Sequence, residues 1–204
     1  MRATLDGREL KLDRPTLAAA LSAGVQAAEA GGRVIVEAWA DGRPLTDGEI
    51  SQPPDIPGSV LELALTSADP RALVSQTLRE AASALAGARD QQVAAGRCIQ
   101  RGEFDAAMPL IQEAVGTWGA ARTALSRGAD LLRIEVGDLA PGGRGVETMA
   151  SELAVRLESL KAAMTRQDWS ALGDVLAYEL TEQADAWCGL LLAAAERAGA
   201  EPSR

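Results

Sequence analysis

The stretch TSADPRALVSQTLREAASAL, residues 66–85, divides the chain into two kinds of sequence. Just before it, residues 60–65 alternate in a way that is typical of a strand, whereas after it apolar residues recur every three or four positions, as in an amphipathic helix. Asp69 is a good helix N-cap and Pro70 a good first helical residue. We therefore predict a sheet-containing module over residues 1–68, a helical domain over 69–200 and a frayed tail over 201–204.

The N-terminal module is predicted to contain a hairpin, one helix and three further strands. Asp6-Gly7 is a good hairpin turn, and Gly31-Gly32 is a clean helix stop. The predicted elements are strands at 3–5 and 9–12, a helix at 15–30 with Pro15 in its first turn, a strand at 34–39, a short return strand after Asp41-Gly42, and a last strand at 60–65.

This order of elements resembles the ubiquitin-like β-grasp. The nearest local likeness is ADGRPLTDGEI at residues 40–50, a turn-plus-leucine segment, followed by VLEL at 60–63. The module runs into a helix at Pro70 and lacks a diglycine tail, so the resemblance implies docking and not covalent modification. The alternative is a small α+β domain that only caps or dimerises the chain.

The second part of the chain is predicted to form four long helices, separated by breaks at residues 101–102 and 167 and by a glycine-rich loop at 134–145. Their apolar stripes are Leu73, Thr77, Leu78, Ala81, Ala84, Leu85 and Ala88; Ala107, Leu110, Ile111, Ala114, Trp118, Ala121 and Leu125; Met149, Leu153, Leu157, Leu160 and Met164; and Trp169, Leu172, Val175, Leu176, Leu180, Ala184, Trp187 and Leu191. Long helices with short links favour an antiparallel bundle. The expected fold class is α+β, a ubiquitin-like β-grasp module followed by an antiparallel four-helix bundle.

Two of the helix-to-helix junctions look alike, RGEFDAA at residues 101–107 and RQDWSAL at 166–172. Each has an acid, Glu103 or Asp168, in position to cap the next helix. Each then has an aromatic, Phe104 or Trp169, in position to pack across the turn. The pattern indicates two related helical hairpins packed together, with coincidental use of good capping residues as the alternative.

The stretch from Pro70 to about Leu192 is similar to the flagellar export chaperones that guard flagellin. The likeness lies in DPRALV at 69–74, RGEFDAA at 101–107, LIQEA at 110–114, residues 156–157 and 162–163, and residues 168–187. It implies a cytoplasmic four-helix bundle without catalytic activity that lays an apolar groove against a partner helix. Family members begin with a short tyrosine-bearing segment, which the β-grasp-like module replaces here, so no client-contact residue is carried over.

The composition disfavours most kinds of enzyme. The chain of 204 residues has no histidine and only two cysteines, Cys98 and Cys188, which are expected to be buried small hydrophobes. Imidazole and thiolate are the usual groups for proton transfer, nucleophilic attack and zinc binding, so we expect no catalytic residue, metal ligand or cofactor.

The net charge of −9 disfavours nucleic acid as a partner. With no run of 18 apolar residues and no signal-peptide pattern at residues 1–10, a cytoplasmic protein without membrane contact is expected.

Three weaker patterns could carry chemistry. The first is two pairs of acids, Asp168 with Asp174 and Glu179 with Glu182, and the second is the sequence GGRG at residues 142–145. The third is a Ser-Lys dyad, for which Lys11 and Lys161 are the only lysines. Acids on helix faces are usually only solvated. The GGRG run follows no strand and lacks the Lys-Ser or Lys-Thr ending of a phosphate loop, so it is interpreted as a connection.

The aromatic residues are the remaining candidates. Trp118, Trp187 and Tyr178 lie on helical stripes, so core packing is expected of them. Trp39 ends a strand and is expected on a sheet face or at the contact of the module. Trp39 and Trp118 are the partner-binding candidates if they are exposed, since large aromatic residues dominate the energetics of interfaces.

Together these patterns predict a cytoplasmic, non-enzymatic adaptor or export-chaperone-like protein that presents an apolar groove to a protein or peptide partner. Two alternatives stay open. One is a structural homo-oligomer that its acidic surface keeps soluble. The other is a small-ligand binder or enzyme that uses a pocket between the module and the bundle.

Overall fold

A computed structural model describes residues 1–139 and 145–200 of the chain. The chain forms two compact units, Met1–Leu73 and Val74–Arg204. Residues 142–144 of the GGRG run and the tail 201–204 lie outside the described residues. Among the described helices, none is both long and apolar enough to cross a membrane.

The first unit is a five-stranded mixed sheet with one long helix. Its elements are β1 (Arg2–Leu5), β2 (Arg8–Glu9), α1 (Leu17–Ala30), β3 (Val34–Ala40), β4 (Arg43–Pro44), α2 (Asp47–Ser51) and β5 (Glu62–Ala68). The strand order is β2-β1-β5-β3-β4, with β1 and β5 parallel and the other neighbours antiparallel. A mixed sheet followed by helices confirms the predicted α+β class.

The hairpin between β1 and β2 turns where the sequence predicts. Asp6 and Gly7 both have positive φ values, 49° and 77°, which suit the twist of a two-residue hairpin. The carboxylate of Asp6 also accepts hydrogen bonds from the backbone N–H and the hydroxyl of Ser67 on β5. The turn is therefore tied to the central strand, although β2 is shorter than the predicted strand at 9–12.

Helix α1 begins two residues later than predicted, because Thr16 and not Pro15 prepares its start. The Thr16 hydroxyl accepts a hydrogen bond from the backbone N–H of Ala19, which satisfies one of the unpaired donors of the first turn. The helix stops at Gly31-Gly32, as predicted, with Gly31 as its C-cap. Short helix α2 has no counterpart in the prediction.

The two faces of the sheet differ in burial. On β5, Leu63 and Leu65 are buried, and α1 approaches Leu65 so closely at Gly24 that a Cβ there would overlap it. The alternate residues Glu62, Ala64 and Thr66 are exposed. One face of the sheet thus forms the core of this unit with α1, and the other keeps its side chains accessible.

All the described secondary-structure elements of the second unit are helices. Its elements are α3 (Pro70–Gln100, which starts at the end of the first unit), α4 (Phe104–Leu132), α5 (Val136–Leu139), α6 (Val146–Arg166), α7 (Trp169–Asp174), a π-helical turn (Val175–Glu179) and α8 (Leu180–Gly199). One hydrophobic core takes buried side chains from all of them. Trp118 of α4 and Trp187 of α8 meet edge to face in it, with ring centroids 5.9 Å apart.

The buried stripe of α3 differs from the prediction by about one position. Val74 and Ala82 are buried, whereas the predicted Thr77 and Ala84 are exposed. Apolar residues occupy neighbouring positions along this helix, so the pattern alone does not fix which edge of the stripe faces inward. Burying Val74 removes apolar surface from water, and exposing Thr77 keeps its hydroxyl accessible to solvent.

The predicted loop at residues 134–145 is partly helical. Helix α4 ends at Leu132, where Arg133 adopts a left-handed conformation with φ of 55°. The four residues of α5 follow, and Leu139 is completely buried. The prediction of a loop here is wrong for α5, because one buried leucine outweighs the glycine at position 137.

Candidate functional site

A groove with the shape of a binding site lies on the second unit, between α6 and the segment formed by α7 and the π-helical turn. Its volume is about 810 Å³, and it is open to solvent. The groove is lined by Ser151, Ala154, Val155, Glu158, Ser159, Ala162, Ala163 and Arg166 of α6, and by Ala171, Asp174, Val175 and Glu179 opposite them.

The wall on α6 is made mostly by the side of that helix that faces away from the core. The core takes Met149, Leu153, Leu160 and Ala163, and of these only Ala163 also lines the groove. Most of the groove residues of α6 are alanine or serine. Their short side chains leave open a space that larger side chains would fill. Val155 is the large apolar exception and is 58% exposed.

The opposite wall depends on the π-helical turn. The backbone N–H of Leu180 donates to the carbonyl of Val175, five residues earlier, and the Thr181 hydroxyl donates to the carbonyl of Leu176 at 3.3 Å. Such a wide turn inserts one residue into a helix and is frequent at functional sites. The helix predicted after Asp168 is therefore present and unbroken over residues 169–199, but the prediction missed the π-helical turn within it.

The apolar stripe explains why the extra residue is needed. At 100° per residue, a continuous α-helix would turn the stripe of Leu172 and Leu176 roughly 80° away from that of Ala184, Trp187 and Leu191. The π-helical turn takes up this difference, so both stripes are buried. This change of phase is the signal in the sequence that the prediction missed.

The extra residue also explains why Tyr178 does not lie where it was predicted. The prediction put this side chain in the core, but it lies within the π-helical turn and is 67% exposed. Val175 and Leu176 take the inward positions of the turn. Helix α3 approaches this turn at Gly96, where a Cβ would lie 3.4 Å from the Cβ of Ala177.

One ion pair joins the two walls of the groove. Arg156 of α6 lies 2.5 Å from a carboxylate oxygen of Glu179, the last residue of the π-helical turn. Glu158 is 3.6 Å from Lys161, one helical turn further along α6. Asp174 and Arg166 have no ion-pair partner among the described residues. The rim therefore offers one free acid and one free base to a bound molecule.

The members of the two predicted acid pairs have different surroundings. Asp168 caps α7 by accepting a hydrogen bond from the backbone N–H of Ala171 at 3.1 Å, as the junction pattern predicts. Asp174 lines the groove, Glu179 is held by Arg156, and Glu182 lies exposed at the start of α8.

The other reactive side chains are also separated. Cys98 and Cys188 are free thiols, and burial raises the pKa of Cys188, which disfavours the nucleophilic thiolate. Neither Lys11 nor Lys161 bonds to a serine in the described part of the chain. Within residues 1–139 and 145–200, no three His, Cys, Asp or Glu residues are placed to hold a metal ion.

The two partner-binding candidates occupy opposite environments. Trp118 is 1% exposed and presents no surface to a partner. Trp39 is 43% exposed, on the accessible face of the sheet. Its cross-strand neighbours are Ala64 on β5 and Pro44 on β4. Of the two tryptophans, only Trp39 is exposed enough to contact a partner.

The chain matches no protein-family model, no curated protein and no solved structure.

Proposed function

We propose that the protein is a cytoplasmic, non-enzymatic protein-binding adaptor, similar in role to the flagellar export chaperones that its sequence resembles. The groove takes a helix of a partner protein. In this proposal the first unit is a ubiquitin-like β-grasp, which its central parallel pair of β1 and β5 supports, and the second unit is an antiparallel four-helix bundle. The observation that carries the proposal is the open groove, whose wall on α6 is made mostly of small residues.

The dimensions of the groove suit a helix. Its lining on α6 extends from Ser151 to Arg166, which is about 22 Å at 1.5 Å per residue, or roughly four helical turns. Alanine and serine along the wall allow the backbone of a partner helix to approach closely, and Val155 supplies apolar contact. A small molecule is usually held in a concave site that covers most of its surface. A groove that is open to solvent and whose lining on α6 spans about 22 Å favours a larger, elongated partner.

The charged residues at the rim of the groove favour a partner helix with complementary charges. Arg166 and Asp174 line the same groove and have no ion-pair partner among the described residues. A partner helix with an acidic residue facing Arg166 and a basic residue facing Asp174 satisfies both. Such rim pairs contribute specificity and orientation more than affinity.

Site-specific photo-crosslinking in the native host tests this proposal. A photoreactive residue at position 155 should capture one partner, with the linked peptide in a single helical segment of it. The matched control is position 115 on α4, where Val115 is 40% exposed and does not line the groove. Support requires that the captured segment, once purified, also binds the purified protein.

Two outcomes oppose the proposal. Equal capture from positions 155 and 115 would show that the groove is not selective. Capture of only a second copy of the chain, with a dimer in light scattering, would favour the homo-oligomer instead.

A further inference from the structure

Trp39 lies on a sheet face that leaves its indole accessible. Its neighbours across the strands, Ala64 and Pro44, both have short side chains. Neither is large enough to cover an indole, and the Trp39 side chain is 43% exposed. Of the protein side chains, tryptophan binds cations over its ring face best.

Two carboxylates flank this indole on the same face. Glu37 precedes Trp39 by two residues on β3, and alternate residues of a strand share a face. Glu62 precedes Ala64, the cross-strand partner of Trp39, by two residues on β5. Diagonal neighbours of this kind lie about 7 to 8 Å apart. The indole therefore has an acid to each side.

These two carboxylates have no role in holding the fold together. The side chains of Glu37 and Glu62 make no ion pair or hydrogen bond within the part of the chain that the structure describes. Four other acids of the unit do: Asp6 bonds Ser67, Asp41 bonds the backbone N–H of Leu61 and Glu62, Glu49 pairs with Arg43, and Asp55 pairs with Arg14. The acids beside Trp39 thus stay available to a ligand.

We propose that this face binds a basic segment of a partner polypeptide, with an arginine or lysine side chain over the Trp39 indole between Glu37 and Glu62. The charge of the site complements such a segment, and the net charge of −9 attracts it at long range. This site lies on the first unit and is separate from the function proposed for the groove.

One neighbouring cation should oppose binding, and its removal therefore gives a further test of the proposal. Arg2 of β1 is in register with Glu62 of β5, and no ion pair between them is present in the described structure. Its charge repels the incoming basic side chain. Removing it by Arg2→Gln should therefore strengthen binding, whereas removing an acid should weaken it.

Isothermal titration of the full chain with acetyl-(Gly-Arg)4-amide tests the proposal. The matched neutral probe replaces each arginine by citrulline, which keeps the shape and removes the charge. The variants are Trp39→Ala, Trp39→Phe, Glu37→Gln and Arg2→Gln. Glu29→Gln is the control, because Glu29 is an exposed acid on α1 without a partner among the described residues.

We expect the arginine peptide to bind and the citrulline peptide not to bind. Trp39→Ala should weaken binding roughly threefold to thirtyfold, and Trp39→Phe should weaken it less. Glu37→Gln should weaken it at least threefold, Arg2→Gln should strengthen it, and Glu29→Gln should change it less than twofold. If the arginine peptide does not bind, the proposal is overturned. It is also overturned if Glu37→Gln and Glu29→Gln change the affinity equally while Trp39→Ala leaves it unchanged.

An NMR readout tests the position of the ligand. The indole N–H signal of Trp39, assigned by its loss in Trp39→Phe, should shift on addition of the peptide, while those of the buried Trp118 and Trp187 should not. A Trp39 signal that stays fixed would overturn the site. Tighter binding of spermine with the same dependence on the variants would overturn its assignment to a polypeptide.

Discussion

Phe104 and Trp169 stack on each other, with ring centroids 4.3 Å apart and ring planes inclined by 33°. They are the aromatics of the two similar junctions, at the starts of α4 and α7. The sequence predicts that each packs across its own turn, but the structure pairs them with one another. The two junctions are thereby joined, and the start of α7, which forms one wall of the groove, is anchored to α4.

A double-mutant cycle measures this contact. Phe104→Leu and Trp169→Leu should each lower the free energy of unfolding, and the pair should show a coupling of about 0.5 to 1.5 kcal/mol, as aromatic pairs do. Urea unfolding followed by circular dichroism is the measurement. Strictly additive effects would show that the two rings contribute independently.

Deleting Tyr178 tests the role of the π-helical turn. The deletion removes the extra residue and should rotate α7 by about 100° relative to α8, which turns Leu172 and Leu176 out of the core. Each lost leucine contact is worth about 2 to 5 kcal/mol, so the helical unit should be strongly destabilised. Tyr178→Ala is the control and should change stability by less than about 0.5 kcal/mol, because the side chain is exposed. A deletion variant as stable as the control would contradict this role.

Gln92 is a buried amide in the helical core. It is 1% exposed, and neither its Oε1 nor its Nε2 has a hydrogen-bond partner in the described structure. A buried polar group without a partner costs about 1 to 3 kcal/mol. Gln92→Met, which keeps the length of the side chain, should therefore raise the free energy of unfolding by about 1 to 2 kcal/mol. A loss of stability in thermal and urea unfolding would show that the amide is satisfied in solution.

Glu49 gives the first unit a specific sensitivity to acid. Arg43, and then the backbone and hydroxyl of Thr46, lower the pKa of Glu49 from 4.5 to about 2. Because the pKa is lower in the folded state, the stabilisation is fully present above pH 4.5 and is lost as the pH falls towards 2. Glu49→Gln should therefore flatten the dependence of stability on pH in this window. An unchanged slope would mean that Arg43 and Thr46 do not hold the carboxylate.

Local chemistry made part of this structure predictable. Asp6-Gly7 fixes the hairpin, and the Asp69 carboxylate accepts from the N–H of Arg71, so α3 begins at Pro70 as predicted. Asp168 caps its helix, but Glu103 does not, since its longer side chain pairs with Arg101 at 3.3 Å. One extra methylene decides between a cap and an ion pair.

What the sequence did not predict depends on contacts between distant elements. The π-helical turn reconciles two apolar stripes with the same core, and a prediction that treats them as one stripe does not detect it. The groove requires the outer face of α6 to lie beside Asp174 and Val175, with only the alanines and serines of α6 as a signal. The exposure of Trp39 follows from which face of the sheet α1 covers.

The most direct test of the groove is the affinity of the protein for the partner segment captured at position 155. Calorimetry should show at least a tenfold loss of affinity for Val155→Glu, which places a charge in the apolar wall, and no more than a twofold change for Val115→Glu. Both variants should keep the unfolding free energy within about 0.5 kcal/mol of the unsubstituted protein, since both valines are exposed. An affinity that Val155→Glu leaves unchanged would contradict the proposal that the groove binds the partner.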